Sequence, residues 1–174
     1  MRTARFLVPL LLVIAAVALL SACNRTPPAC PRASIIGDGA TVTKFREGTG
    51  RDLTDVAAQG EIVDVAVECD YDRRGVDVAL QVAIAATRGP ADRSRVAEFD
   101  YFVAVADAQR NILAKEVFRV RFQFPANQDR TGTIEDIEPR IPLKNRAEGV
   151  DYQIIVGFQL TPEEIEWNRT QKPR

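Results

Sequence analysis

The chain has 174 residues, of which 46% are hydrophobic and 27% are charged. This composition is typical of an ordered globular protein, and the length suits one domain with a sizeable core better than two. The sequence contains no histidine, so the commonest general base near neutral pH and the commonest metal ligand are both missing. We therefore expect a non-enzymatic protein with no catalytic residues, no metal site and no cofactor.

The N-terminal segment has the three-part pattern of a secretory signal. Arg2 and Arg5 precede an uncharged apolar run at residues 6–20, and small residues follow that run. The run is shorter than the roughly 20 residues that a transmembrane helix needs, although a membrane-spanning anchor is the alternative. We predict that residues 1–22 are a signal peptide that is removed on export.

The end of this segment, Leu20-Ser21-Ala22-Cys23, resembles the lipobox of bacterial lipoproteins, Leu-(Ala/Ser)-(Gly/Ala)-Cys, at every position. The resemblance implies that Cys23 becomes the first residue of the mature chain, with a diacylglycerol on its sulfur and a further acyl chain such as palmitate on its amine. Several acyl chains hold a protein stably on a membrane. Lipoproteins kept in the inner membrane commonly have Asp after the cysteine, so Asn24 favours the outer membrane.

Two cysteines remain once Cys23 is assigned to lipid. Cys30 and Cys69 are an even pair in an oxidising compartment, and we predict a disulfide between them, with two separate buried thiols as the alternative. Residues 23–32 then form an acylated start and a short tether, because the extended chain from Cys23 to Cys30 reaches only about 25 Å. The domain is expected to face the periplasm close to the membrane surface.

Apolar and polar residues alternate along most of the mature chain, which predicts strands with one buried face. The expected strands lie at residues 63–71, 76–84, 99–105, 112–124, 131–138 and 152–160, with an opening strand within 33–45. Glu116 interrupts one apolar face, so a bulge is predicted near Lys115. About seven strands with short turns indicate an all-β fold, an antiparallel Ig-like β-sandwich with a short C-terminal helix. We place this domain at residues 33–168.

Residues 147–156 resemble the tyrosine corner of fibronectin type III and immunoglobulin-like domains. The resemblance implies that the Tyr152 hydroxyl bonds to upstream backbone at the start of a strand. An ordinary core aromatic is the alternative for Tyr152.

Thr161, Pro162 and Glu164 have the spacing of a capped helix start. The pattern predicts a short helix as far as about Asn168, followed by a loose tail at residues 169–174. Trp167 is expected to cover one end of the sandwich, and contact with a partner is the alternative.

Charged residues form two candidate sites. Lys115, Arg119 and Arg121 make a basic row that could contact a partner, anionic headgroups or the cell wall. The row could equally pair with acids of a neighbouring strand at Glu135, Asp136 and Glu138. Asp70 and Asp72 flank a hairpin turn and could form a catalytic carboxylate pair, with solvated turn charges as the alternative.

Removal of residues 1–22 takes away Arg2 and Arg5 and no acid, which leaves 21 basic and 24 acidic side chains. Nothing in that balance favours a nucleic-acid partner. We expect a lipid-anchored, non-catalytic binding or envelope-assembly component, with the membrane and an unidentified envelope protein as its partners. The alternatives are a carboxylate enzyme around Asp70 and Asp72 and a structural lipoprotein that binds peptidoglycan.

The segments ILAKEVF (112–118) and VGFQLTPEE (156–164) are also similar to small lipoproteins of Gram-negative bacteria that have no assigned activity. This similarity implies an envelope location and adds no function.

Overall fold

The computed structural model describes residues 28–48 and 51–171. The predicted signal peptide, Cys23 and most of the predicted tether therefore lie outside the described residues. In the described ranges the chain forms nine strands, one α-helix and short 3₁₀ turns. The regular elements are β1 (Arg32–Ile35), β2 (Thr41–Phe45), β3 (Val56–Tyr71), β4 (Gly75–Arg88), β5 (Val96–Ala106), β6 (Ile112–Gln123), β7 (Arg130–Ile137), β8 (Arg140–Pro142), β9 (Gln153–Phe158) and α1 (Pro162–Gln171).

The strands form two sheets. One has the order β1-β9-β5-β6, and the other has the order β2-β3-β4-β7 with β8 also paired to β4. All pairs are antiparallel except β1 with β9. The predicted all-β sandwich with a short C-terminal helix is confirmed. There are more strands than the seven expected, because the predicted opening strand is two strands in different sheets and β8 has only three residues.

The core lies between the two sheets and is filled by alternate residues of the long strands. Phe99 and Phe158 are buried there, with ring centroids 5.7 Å apart in an edge-to-face arrangement. Gly60 of β3 makes room for them, because a methyl group at this position would lie 2.9 Å from the Phe158 Cζ atom. The aromatic centre of the core thus depends on a strand residue without a side chain.

The predicted hairpin turn between β3 and β4 and the predicted bulge in β6 are both present. The Asp72 N–H donates a 3.1 Å hydrogen bond to the Gly75 carbonyl and closes the β3–β4 hairpin. In the β5–β6 pair, Val105 lies opposite Ala114 and Ala106 lies opposite Ile112, so Leu113 is an extra residue. The predicted bulge therefore falls at Leu113, slightly before Lys115.

The start of α1 has the predicted capping box. The Thr161 N–H donates to Glu164 Oε2 at 2.9 Å, and the Glu164 N–H donates to Thr161 Oγ1 at 3.3 Å. Trp167 packs edge-to-face on Phe45 with ring centroids 4.9 Å apart, as expected for a residue that covers one end of the sandwich.

The helix runs to Gln171, so the prediction of a loose tail was wrong for residues 169–171. The Asn168 amide donates to the carbonyl groups of Asp38 and Thr41, at 2.9 and 2.8 Å, and Arg169 Nε donates to Asp38 Oδ2 at 3.2 Å. These contacts hold the last turn of the helix against the sandwich. No helix in the described ranges is long and apolar enough to span a membrane.

The chain enters the sandwich at the end that carries the β3–β4 turn. Cys30 and Cys69 form the predicted disulfide, with their Cα atoms 5.7 Å apart. The Tyr71 hydroxyl donates a 2.6 Å hydrogen bond to the Ala29 carbonyl. These two bonds fasten the residues before β1 to the last residues of β3.

Candidate functional site

The basic row on β6 is neutralised by acids of the adjacent strand β5. Arg119 lies directly opposite Asp100, and its Nε donates to Asp100 Oδ1 at 2.8 Å. Arg121 lies opposite Glu98, and its Nη1 donates to Glu98 Oε1 at 3.0 Å. The hydrogen bond from Arg119 lowers the pKa of Asp100. The expected cross-strand charge match is therefore present, but the predicted partners were wrong.

The acids named in that prediction form no ion pair with these arginines among the described residues. Glu135 and Asp136 are on β7 and Glu138 follows it, and β7 belongs to the other sheet. Lys115 Nζ donates instead to Gln159 Oε1 at 2.8 Å and lies 4.2 Å from the centre of the Phe102 ring. This geometry gives little support to a wall-binding row at Lys115, Arg119 and Arg121.

Asp70 and Asp72 at the hairpin tip are solvent-exposed, and Asp72 is bound to arginine. Arg140 Nη2 donates to Asp72 Oδ2 at 2.8 Å, and this bond is the main reason that the pKa of Asp72 falls to about 2. Asp70 lies opposite Asp77, which also binds Arg140. A carboxylate held ionised by arginine cannot act as a general acid near neutral pH. The arrangement favours solvated turn charges over a catalytic pair.

Tyr152 has the predicted position but not the predicted hydrogen bond. It comes directly before β9, packs partly buried against the core, and its N–H donates to the Gly149 carbonyl at 3.3 Å. Its hydroxyl bonds to none of the residues that the structure describes. The alternative interpretation, a core aromatic, fits these contacts.

A groove of about 550 Å³ opens where the first half of β6 faces the end of β7. Its floor consists of Tyr101, Val103 and Val105 of β5, and its sides include Phe118 of β6 and Ile137 of β7. The three floor residues belong to the hydrophobic core. The groove is therefore a place where the core reaches the surface between the two sheets.

The groove is open because both of its sides are the outer strands of their sheets. Every residue of β6 from Ile112 to Val117 is exposed, whereas Val120 and Phe122 further along the same strand are buried. On the other side, the chain leaves β4 after Ile137 and returns to it at β8. In the described part of the chain, no element covers the gap between β6 and this bend.

Two carboxylates stand on the core-facing sides of these outer strands. Glu116 lies opposite Val103 and Glu135 lies opposite Val82, and both valines are buried. Because directly opposite residues in a sheet share a face, Glu116 and Glu135 point towards the space between the sheets from its two sides. The interrupted alternation at Glu116 was visible in the sequence. The position of Glu135 across the groove from it could not be predicted.

The acids of the groove have no basic partner among the residues described. Glu135 accepts a 3.3 Å hydrogen bond from Thr133 Oγ1, and Asp136 accepts a 3.0 Å bond from Gln81 Nε2. Within the described ranges, Glu116 and Glu138 form no ion pair or side-chain hydrogen bond. The rim of the groove thus carries uncompensated negative charge.

Tyr101 adds a polar group to the apolar floor. The residue is only 1% exposed, and its hydroxyl has no hydrogen-bond partner within the described ranges. Since no fully enclosed side-chain oxygen or nitrogen there lacks a partner, the hydroxyl must open into the groove that Tyr101 lines. Burial, and secondarily the charge of Glu135, raise the pKa of Tyr101 to about 12.

The acids are spread along the groove and do not converge on one point. Across residues 28–48 and 51–171, no group of three or more His, Cys, Asp or Glu side chains could hold a metal ion. A ligand that satisfies several of these acids must therefore be extended.

No protein-family model, curated protein or solved structure matches the chain.

Proposed function

We propose that the protein is a lipid-anchored lipoprotein of the bacterial cell envelope, and that its β-sandwich binds a partner without catalysing a reaction. The lipobox-like sequence Leu20–Cys23 supports an anchor at Cys23, and Asn24 favours the outer membrane with the domain facing the periplasm. The disulfide between Cys30 and Cys69 fits an oxidising compartment. Partner binding is supported above all by the open groove beside the unpaired edge of β6.

The exposed half of β6 has the features of a strand that accepts another strand. An outer strand presents unpaired backbone N–H and C=O groups, and here it also exposes Ile112, Leu113 and Val117 to at least half of their full extent. Proline commonly blocks such edges, and Pro139 lies on the opposite side of the groove. Residues 112–123 contain no proline. An extended segment of a partner can therefore pair with β6, as in other cases of strand addition.

The side chains that could act as a nucleophile or a general acid give little support to the alternative of an enzyme. Cys30 and Cys69 are bonded to each other, so neither provides a thiolate nucleophile. Asp72 is bound to Arg140 at an exposed hairpin tip. A pair of acids with raised pKa values in an enclosed pocket would have favoured an enzyme, and the carboxylates of the hairpin tip do not have that arrangement.

The start of β1, which follows the proposed anchor in the sequence, lies near the groove. Arg32 pairs with Gln153, Gln153 pairs with Ala106, and Ala106 pairs with Ile112. The start of β1 and the start of β6 are thus three strand spacings apart, about 15 Å. A tether that reaches only about 25 Å from Cys23 to Cys30 would hold the groove on the membrane-proximal half of the domain. The proposed partner is therefore a protein at the same membrane.

Membrane fractionation of Cys23→Ser cells tests the anchor. We expect wild-type protein in the membrane pellet with incorporated labelled palmitate, and the variant in the soluble fraction, unlabelled and still folded. The Cys30→Ser/Cys69→Ser variant is the control, because it should remain in the pellet while losing stability. A Cys23→Ser protein that still sediments with membranes would contradict the lipid anchor.

Site-specific photocrosslinking in cells tests the exposed edge of β6 beside the groove as a binding site. A photoreactive residue at Leu113 should capture a specific envelope protein. The same residue at Val63, which is comparably exposed on β3 of the other sheet, should not capture it. Equal capture from both positions, or from neither, would refute binding at β6.

A further inference from the structure

We propose that the partner presents an extended segment in which one basic side chain has apolar side chains two residues away on either side, and that this Lys or Arg side chain lies between Glu116 and Glu135. This inference rests on the proposed function and specifies the chemistry of its partner. It is carried by three features of one groove: the unpaired edge of β6, the two inward carboxylates, and the unpartnered Tyr101 hydroxyl.

The charge of the groove selects a cation. Four acids line it, Glu116, Glu135, Asp136 and Glu138, and Lys115 is its one lysine or arginine. Lys115 is held away on the other face of β6, where it binds Gln159 and the Phe102 ring. A bound ammonium or guanidinium group would neutralise carboxylates that now have no basic partner, and charge complementarity of this kind sets the choice of partner.

Tyr101 gives that cation a further contact. Its hydroxyl oxygen opens into the groove beside Glu135 and can accept an N–H from the incoming head group. No described residue forms a hydrogen bond with this hydroxyl, so a ligand that does so as it displaces water from the groove is stabilised relative to one that leaves the hydroxyl covered without a partner. An anionic or purely apolar segment would leave both the hydroxyl and the acids unsatisfied.

Strand geometry fixes the order of side chains in the segment. Residues two apart on a strand point to the same face, and the groove face of β6 presents Ala114, Glu116 and Phe118 in that order. On the groove face, the partner should therefore place a basic residue beside Glu116. The residues two positions before and two positions after it should be apolar, beside Ala114 and Phe118. A free polyamine has the charge but cannot pair with the β6 backbone.

Peptide binding to the full-length acylated protein in detergent micelles tests this inference. The probe is a blocked, dye-labelled nine-residue peptide with Lys at position 5, Val at the other odd positions and Thr at the even positions (the Lys/Val peptide), and its binding is followed by fluorescence anisotropy. The comparison ligands are a Glu/Val peptide, the Lys/Val peptide N-methylated at alternate residues, and spermine. In the Glu/Val peptide, Glu replaces the Lys at position 5. We expect binding of the first peptide alone, with an affinity that falls as salt is added.

Variants assign this binding to the groove. Glu116→Gln and Glu135→Gln should each weaken binding of the Lys/Val peptide by about tenfold, as expected for loss of a close charge pair. Tyr101→Phe should weaken it less, by about threefold, because it removes one neutral hydrogen-bonding group. Glu166→Gln, on the exposed surface of α1, is the matched control and should bind like the wild type. Equal thermal melts would show that the variants are folded.

Three results would overturn the inference: equal binding of the Glu/Val peptide, no effect of either glutamine variant, or binding of spermine and of the N-methylated peptide as strong as that of the Lys/Val peptide. The last result would indicate a polyamine site. The proposed function is tested separately by the crosslink at Leu113. If Leu113 captures a partner that Glu116→Gln and Glu135→Gln do not weaken, the partner chemistry is wrong and the binding site stands.

Discussion

The disulfide between Cys30 and Cys69 fastens the residues that precede β1 to the end of β3. It closes a loop over a sequence separation of 39 residues, which contains β1, β2 and most of β3. Tyr71 reinforces the same junction through its hydrogen bond to Ala29. The bond therefore joins the segment nearest the proposed anchor to the longest hairpin of the sandwich.

Removal of this disulfide should destabilise the domain without unanchoring it. A loop of this length corresponds to roughly 4 kcal/mol in the chain-entropy model. We expect the Cys30→Ser/Cys69→Ser variant to lose up to this amount of unfolding free energy, measured by urea titration of tryptophan fluorescence. Reductant should shift the urea midpoint of the wild type towards that of the variant and leave the midpoint of the variant unchanged. If wild type and variant had the same urea midpoint, both with and without reductant, the disulfide would not stabilise the domain measurably.

The Arg140–Asp72 pair predicts a dependence of stability on acid pH. Arg140 lowers the pKa of Asp72 from an ordinary value of 3.8 to about 2. The folded state therefore holds its proton less tightly than the unfolded state, and the contribution of Asp72 is full above about pH 4 and is lost as pH falls towards 2. In an NMR titration of side-chain carboxyl groups, Arg140→Gln should move the Asp72 midpoint upwards. Lys144→Gln, which removes a charge that pairs with no acid among the described residues, should leave the Asp72 midpoint in place.

Tyr101 predicts the opposite dependence at alkaline pH. Its pKa is raised from 10 to about 12, so the stabilising contribution of its neutral form is present below pH 10 and is lost as pH rises through 12. The protein has three tyrosines. In an ultraviolet titration, the tyrosine ionisation with the highest pKa should be absent from Tyr101→Phe. Glu135→Gln should lower the Tyr101 midpoint while leaving it above 10, because burial is the larger cause of the shift. A Tyr101 midpoint near 10 in the wild type would contradict a side chain that is largely shielded from water.

The long strands could be predicted from the sequence because their signal is local. Alternation in β3, β4, β5 and β9 reflects burial of one face, and the Thr161–Glu164 capping box needs only four neighbouring residues. The disulfide was also predictable, since Cys23 had a separate assignment and two cysteines remained. These features depend on residue type and spacing alone.

The groove could not be predicted, because it depends on which strands become the outer ones. Arg119 could have faced Glu135 or Asp100, and only the order of strands in the sheets places Asp100 beside it. The inward position of Glu116 was a usable sign, since a charge on a core-facing strand position indicates either a bulge or an uncovered edge. The bulge at Leu113 and the uncovered edge are both present, and the sequence suggested only the first.

The capped start of α1 predicts a measurable coupling between Thr161 and the packing of Trp167. Thr161 satisfies an N–H group of the first helical turn through its hydroxyl, and loss of such a cap costs about 1 kcal/mol. Thr161→Ala should lower the unfolding free energy by about this amount, and because Trp167 is the only tryptophan, its fluorescence reports directly on the helix that rests on Phe45. Thr161→Ser keeps the hydroxyl and should behave like the wild type. If both variants lose equal stability, the methyl group of Thr161 and not its hydrogen bond holds the helix start.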